Sequence, residues 1–269
     1  MQGDLLPKGS KSQHKEKKAS LPYVNPEDHY HISLSTREGI GLDDWLAETQ
    51  AKHGIEVSCR FYQEFGLIFS MQNVYERLLD HLLARLQGKA YDGDEHSFSD
   101  EERDNVKFKT ECIWRHKVLR LNYTTYDLRR KQDSLHPERQ ANIMIRAHED
   151  ETEGAAWHPY WYARILGVYH AVVQHHDDPT GFHQMDFLWV QWYGRETSSP
   201  SGWSAKRLPR IGPLSSDYDG VYGFLDPQEV ICGVHLIPAF AHSSVYPPLS
   251  GVDARNPEEG HWDLYYLNM

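Results

Sequence analysis

Acids, histidines, aromatic rings and basic side chains each gather at spacings that suggest chemistry. Asp92, Asp94 and Glu95 stand just before Ser99, Asp100, Glu101 and Glu102. Such oxygen ligands suit Mg²⁺ or Ca²⁺, and these first three would be the acids of a metal-dependent nuclease. The EF-hand loop spacing is nevertheless absent, and Ser99 with Glu102 reads as a capping box whose acids complement a helix dipole. A second group, His170, His175, His176 and His183 with Asp177 and Asp178, offers zinc-type ligands. Pro179 and Gly181 put most of it on a turn, whereas a zinc site needs a rigid frame. Cys232 with His235 would be a poor nucleophile pair, because apolar neighbours suit a buried, inert thiol. No Gly-x-Ser-x-Gly elbow, P-loop or dinucleotide fingerprint occurs. No catalytic residue, cofactor or metal ligand is therefore assigned, and a non-enzymatic role is expected.

Binding chemistry is better represented. Between Trp157 and Glu196 the chain has two ring-rich runs, around Tyr160–Leu166 and Met185–Tyr193, separated by a polar turn from His175 to Gly181. Aromatic and β-branched residues at this density predict two facing strands. With a period of two, Tyr160, Tyr162 and Arg164 fall opposite Trp161, Ala163 and Ile165. On the second strand, Phe187, Trp189 and Tyr193 fall opposite Leu188, Val190 and Trp192. Tyr160, Tyr162, Trp189 and Tyr193 are thus candidates to cage an ammonium group or to stack on bases. The competing expectation is that both faces are covered, one of them by a leucine-rich helix. Arg115, Lys117, Arg120, Arg129, Arg130 and Lys131 form the basic stretch of an acidic protein. They are set either to meet phosphate or an acidic partner, or to lie solvated opposite the acids at 92–104.

The elements that must position these groups follow from periodicity. Residues 1–24, with Lys8, Lys11, Lys15, Lys17 and Lys18 and no apolar period, read as a disordered basic tail that serves as an import signal, a phosphate-binding arm or a plain linker. The stretch 25–103 reads as a mostly helical arm. Leu42, Trp45, Leu46 and Thr49 share one helix face. From Gln72 to Gln87 a wide stripe of Val74, Leu78, Leu82 and Leu86 ends at Gly88 and calls for a partner surface. From 104 to 242 the period becomes alternating, with strands at Val106–Lys109, Val118–Tyr126, Ile143–Arg146 and Val234–Ile237. Asp127–Asp133 reads as a basic connector, and Asp226-Pro227-Gln228-Glu229 as a short helix start that ends near Cys232. Residues 243–269 read as a loop and a terminal strand, whose abrupt end suggests truncation.

At 269 residues, 39% hydrophobic and 12% aromatic, the chain can bury a substantial core. A net charge of −11 argues against a surface built for general DNA binding but leaves room for a local basic patch. Three separated cysteines without CxxC spacing suggest a reduced, intracellular protein. No apolar run is long enough to span a bilayer, so no membrane partner is expected.

Three segments carry a family resemblance. They are Arg115 to Arg130 (RHKVLRLNYTTYDLRR), His158 to Arg164 (HPYWYAR), and Gly223 to Pro227 followed by Gly233 to Phe240 (GFLDP, GVHLIPAF). Together they resemble the C-terminal region of fungal Plavaka and related KDZ-type transposase-like proteins, from about His29 onward. The resemblance implies a detached or degenerate tail of a mobile-element protein, without the acidic strand-transfer core. It also implies a nuclear location, in keeping with the basic tail, and otherwise a cytoplasmic one. Tyr162-Ala163-Arg164-Ile165, Val190 to Arg195 and Asp226 to Ile237 resemble, less extensively, the BAH module of chromatin proteins.

The expected fold is α+β, with the helical N-terminal arm packed on a small, partly open antiparallel β-barrel of BAH/SH3-like type. The expected function is an interaction module derived from a transposon protein, binding chromatin, a histone tail or another protein, with DNA as a possible partner through the basic patch. The alternatives are a fragment of a metal-dependent DNA-cleaving transposase, or a remnant without selected function. The sequence leaves the oligomeric state open.

Overall fold

A computed structural model describes residues 28–32, 38–52, 73–89, 97–124, 127–139, 141–147, 158–198, 200–202, 205–214, 220–241, 245–246 and 261–268. Strands β1 (Tyr30–Ile32) and β2 (Glu38–Gly41) precede helices α1 (Leu42–Lys52), α2 (Asn73–Leu86) and the single turn α3 (Asp100–Arg103). Then follow β3 (Val106–Phe108), β4 (Cys112–His116), β5 (Leu119–Thr124), β6 (Arg130–Leu135) and β7 (Asn142–Arg146). The long strands β8 (Tyr160–His175) and β9 (His183–Arg195) form the centre. After them come β10 (Arg210–Pro213), β11 (Tyr222–Leu225), β12 (Val230–Gly233), β13 (His235–Pro238), β14 (Val245–Tyr246), β15 (His261–Trp262) and β16 (Tyr265–Asn268).

The chain is β-rich with few helices, and its main antiparallel sheet curls into an open half-barrel. The order is β12-β7-β8-β9-β10-β16-β13, with β3 and β4 on the far half of β8 and β11 on β9. Val234 alone separates the two end strands, β12 and β13, in sequence, and its N–H donates to the Asn142 carbonyl at 2.8 Å. The sheet therefore bends until its ends nearly meet. A second sheet, β1-β5-β6, lies over one face. Leu119, Leu121 and Ile143 share a core there with Ile165, Val168 and Val190.

Three expectations change. Residues 130–133, read as connector, belong to β6, which pairs with β5 from Arg130 opposite Thr124 to Leu135 opposite Leu119. Cys232 lies on strand β12 rather than at a helix end, because Pro227–Glu229 makes only one 3-10 turn, capped by the Asp226 side chain. The stretch read as a mostly helical arm also supplies β1 and β2, which pair with β5 and β4. Both pairings join partners more than 70 positions apart, so no local signal announces them. The tail at 1–24, Cys59 and the acids Asp92, Asp94 and Glu95 lie outside the described residues. The capping box at Ser99 and Glu102 is present in both directions.

The β8–β9 pairing holds one irregularity that sets what each face carries. Ile165 stands opposite Val190 and Gly167 opposite Trp189, so Leu166 is an extra residue. Before this bulge the odd-numbered residues Ala163 and Ile165 face the β1-β5-β6 sheet. After it the even-numbered Val168 does, and Tyr169, Ala171 and Val173 turn to the other face. A Cβ on Gly167 would sit 2.2 Å from the Tyr169 ring, so glycine is what allows the ring to fold back here.

Helices α1 and α2 cover that other face. Leu78, Leu82 and Leu83 are fully buried against Phe187, Trp189 and Phe224, which is the partner surface the leucine stripe called for. Arg85 near the end of α2 binds the Asp226 carboxylate at 2.7 Å and donates to the Asp186 carbonyl at 2.6 Å. Tyr30 reaches the Asp186 side chain, and burial, followed by the nearby Asp186 and Asp226 charges, pushes its hydroxyl pKa upward. One polar knot thus ties α2, β1, β9 and the 3-10 turn together.

His81 gives this packing a pH dependence. It is fully buried on α2, and burial first, then the Arg85 charge, holds its pKa well below 6.5. The unfolded chain therefore binds a proton near pH 6.5 that the folded chain refuses, so stability falls as the pH drops below that value. Its share is at most about 1.4 kcal/mol per pH unit. Urea unfolding at pH 7 and pH 5.5 should show a smaller acid loss in His81→Leu than in wild type. Equal losses would remove His81 from the account.

Candidate functional site

The end of the half-barrel where β8 begins and β9 ends is incompletely closed. In the core under the β1-β5-β6 sheet nearly every apolar side chain is buried. At this end, among the described residues, Met144, Tyr162, Ile211 and Leu267 are buried, while Tyr160, Tyr193, Ile231, Cys232, Leu236 and Tyr265 are only half-buried. Strands β7, β8, β9, β12, β13 and β16 each contribute a wall. The result is an aromatic trough with apolar surface left open to solvent, which a chain of this polarity would otherwise cover.

His158 edges the trough, with ring centroids 6.0 Å from Tyr160 and 5.9 Å from Tyr162. Burial lowers its pKa, and the Arg195 charge adds to this, against the opposing pull of the Tyr160 backbone. The imidazole is therefore neutral at pH 7. Burial likewise pushes the Tyr162 hydroxyl up to about 12. Tyr193 donates its hydroxyl to Asn142 Oδ1 at 2.9 Å, which fixes the ring over β7. Cys232 forms part of the wall. Burial first and Asp133 second raise its thiol pKa, which disfavours the reactive thiolate. Neutral rings and a protonated thiol make a surface suited to apolar and π contacts.

Three of the four ring candidates meet here. Tyr160 and Tyr193 are half-exposed, and Tyr162 is 3% exposed beneath them. Trp189 is on the same face but elsewhere. It is 2% exposed under the helices, with its ring 4.7 Å from Phe224 and stacked on Tyr222 at 5.8 Å. Only the trough half of the ring set can therefore meet a ligand without unfolding. His158, Asn142, Arg195 and Tyr265 complete the site and were missed as binding residues. The half-exposed terminal strand carrying Tyr265 gave a ring-rich signal, but its pairing with β10 and β13 was not readable.

The basic stretch divides. Arg115 is taken by Glu48 on α1 and lies 3.8 Å from Glu38. Lys117 is exposed, Arg120 half-buried on β5, and Arg129, Arg130 and Lys131 exposed at the β5–β6 turn, with Arg129 paired to Asp127 at 3.0 Å. The histidines also separate. His170 is buried, with its Nδ1 2.6 Å from His116 Nε2 and Trp114 stacked on its ring. His183 binds Asp178 at 3.1 Å and Thr180 at 2.8 Å on the turn. His176 meets Lys107. Among the described residues no three His, Cys, Asp or Glu side chains are grouped to hold a metal ion. No helix among them is long and apolar enough to cross a membrane.

Comparison with protein-family models, with characterised proteins and with solved structures found no match to this chain.

Proposed function

We propose that this chain is a non-enzymatic interaction module whose aromatic trough takes an extended segment of a partner protein. The observation that carries the reading is the half-covered cluster of Tyr160, Tyr193, Tyr265 and Leu236 over the buried Tyr162. Neutral rings with fixed orientations offer contact area at small entropic cost, a pattern suited to recognition. The family-level resemblances supply the setting: a module descended from a transposon protein, with a BAH-like barrel on a helical arm, placed in the nucleus by its basic tail. In that setting the segment is a histone tail or a comparable chromatin tail.

The experiment is a fluorescence-anisotropy panel of labelled histone-tail peptides, unmodified and lysine-methylated, against the full chain. At least one peptide should bind, and Tyr193→Ala and Tyr160→Ala should each weaken it by about tenfold, the loss expected for one anchoring ring. Peptide binding that both variants leave intact would move the site elsewhere, and a panel without binding would reject a histone-tail reader. Fusion to a fluorescent protein tests the location, and nuclear signal should fall when residues 1–24 are removed.

A further inference from the structure

The outer face of the β1-β5-β6 sheet shows a separation of charge that its sequence conceals. Leu119, Leu121 and Ile32 point inward, so their alternates point out. Across the register these are His31 beside Arg120, Arg120 opposite Ser134, Asn122 opposite Gln132 and Thr124 opposite Arg130. No carboxylate stands on these outward positions, in a chain with 39 Asp and Glu against 28 Lys and Arg. Asp133 is on the inward side, bonded to Tyr123 and to the Gly233 N–H.

Arg120 adds a second, independent feature. Its Nε and Nη1 are shielded from solvent, yet have no hydrogen-bond acceptor among the described residues. A shielded donor without an acceptor carries a desolvation cost, and a long side chain at a half-buried position can relieve it by swinging its guanidinium outward to an anion. Asn122 and Gln132 bond each other at 2.9 Å, which leaves a flat polar surface beside the guanidinium. Thr124 and Arg130 continue the face about 13 Å further, four residues along the strand.

We infer that this sheet face binds the phosphate backbone of nucleic acid, with Arg120 as the anchoring cation and Arg130 as the second contact. Two guanidinium groups on a stripe, with amides and hydroxyls between them, suit non-adjacent phosphates of one backbone. Among these outward positions only His31 carries a ring and none offers an apolar anchor for a protein partner, so contact is chiefly with the backbone and independent of sequence. The inference stands apart from the trough, which faces the opposite side of the main sheet.

The test measures anisotropy of a labelled mixed-sequence DNA duplex with the full chain at low and moderate salt. Wild type should bind with an affinity that falls with salt. Arg120→Gln and Arg130→Gln should each weaken it by about tenfold and flatten the log–log salt slope by about one. Thr124→Glu, an exposed change that leaves the fold alone, should abolish binding by placing a carboxylate on the stripe. Lys109→Gln, on the exposed turn after β3, should change affinity less than twofold. Three results would overturn the inference: no duplex binding by wild type, equal losses in Lys109→Gln, or tighter binding of poly-glutamate than of duplex. Inorganic phosphate bound through Arg120 without any duplex binding would mark a small-anion site, and would overturn it too.

Discussion

Arg103→Ala should lower the unfolding free energy by about 3–5 kcal/mol, the loss typical of a buried charge stripped of its partner. Asp80 sits inside α2 with a side chain 5% exposed. Its two carboxylate oxygens accept from Arg103 Nε at 2.7 Å and Nη2 at 2.9 Å, and Oδ1 also accepts from the Phe98 N–H at 3.3 Å. This fork closes α3 onto α2 and seats Phe98 beside Val74 and Leu78 in the core under the helices. Removing the guanidinium leaves the carboxylate facing an apolar core with one weak donor. The Asp80 hydrogen bonds first, and desolvation against them, set the balance that pushes the Arg103 pKa upward, so the cation is present at every accessible pH. Urea unfolding followed by tryptophan fluorescence measures the cost. Asp80→Leu combined with Arg103→Met should recover most of it, because a well-packed apolar pair needs no charge compensation. If Arg103→Ala alone costs less than about 1 kcal/mol, the pair behaves as an exposed one, and α3 is not fastened through it.

How far the sequence foretold this arrangement depended on the range of the interaction. The leucine stripe of α2, the Ser99–Glu102 capping box and the ring-rich hairpin are local patterns of 3.6 or 2, and each is found where its pattern put it. The β5–β6 hairpin was read only in its first half. Arg130-Lys131-Gln132-Asp133 lacks the apolar alternation of a strand because one face of β6 carries only polar, exposed or half-buried residues and the other has only Leu135 in the core. Strand β12 was hidden in the same way, since a strand of four residues directly after a 3-10 turn leaves too little room for a period.

The candidate site was legible in kind more than in place. Ring spacing put Tyr160 and Tyr162 on one strand face, and that parity holds up to Ile165. It cannot be carried past Leu166, because a bulge reverses which residues face which side. Trp189 was grouped with Tyr193 correctly as to face. The distinction between them is that Trp189 joins the core under the helices, with Tyr222 and Phe224 on its ring, whereas Tyr193 lies in the half-covered cluster, and nothing in the hairpin itself encodes where the helices lie. The basic stretch shows the same limit. Arg115 and Arg120 look alike in sequence, but β2 and α1 bring Glu38 and Glu48 to the first, while the β1-β5-β6 register brings only His31, Ser134 and neutral amides to the second.

Trp45→Ala is expected to have an effect of similar size, about 3–5 kcal/mol. Trp45 is fully buried, and its ring lies 5.5 Å from Tyr169 and 6.5 Å from Phe187, both edge-on, and 6.2 Å from Phe224. Among the described residues of α1 only Trp45 and Thr49 are buried, and the helix's apolar period is otherwise weak. The indole is therefore the main buried contact between helix and sheet, with Leu42 and Leu46 only partly covered beside it. Its removal opens a cavity bounded by three rings that belong to rigid strands and cannot collapse inward. Such a site shows the upper range of truncation costs rather than the lower. Freed from this contact, α1 should open locally before the sheet does, so amide exchange in residues 42–49 should accelerate more than in β8 or β9. Arg115 should also lose Glu48, which rides on the same helix. Trp45→Phe, which keeps an edge-on ring, should recover more than half the loss. A small stability change in Trp45→Ala, with α1 exchange unaltered, would mean that the helix is held by some other contact and that the ring cluster is complete without it.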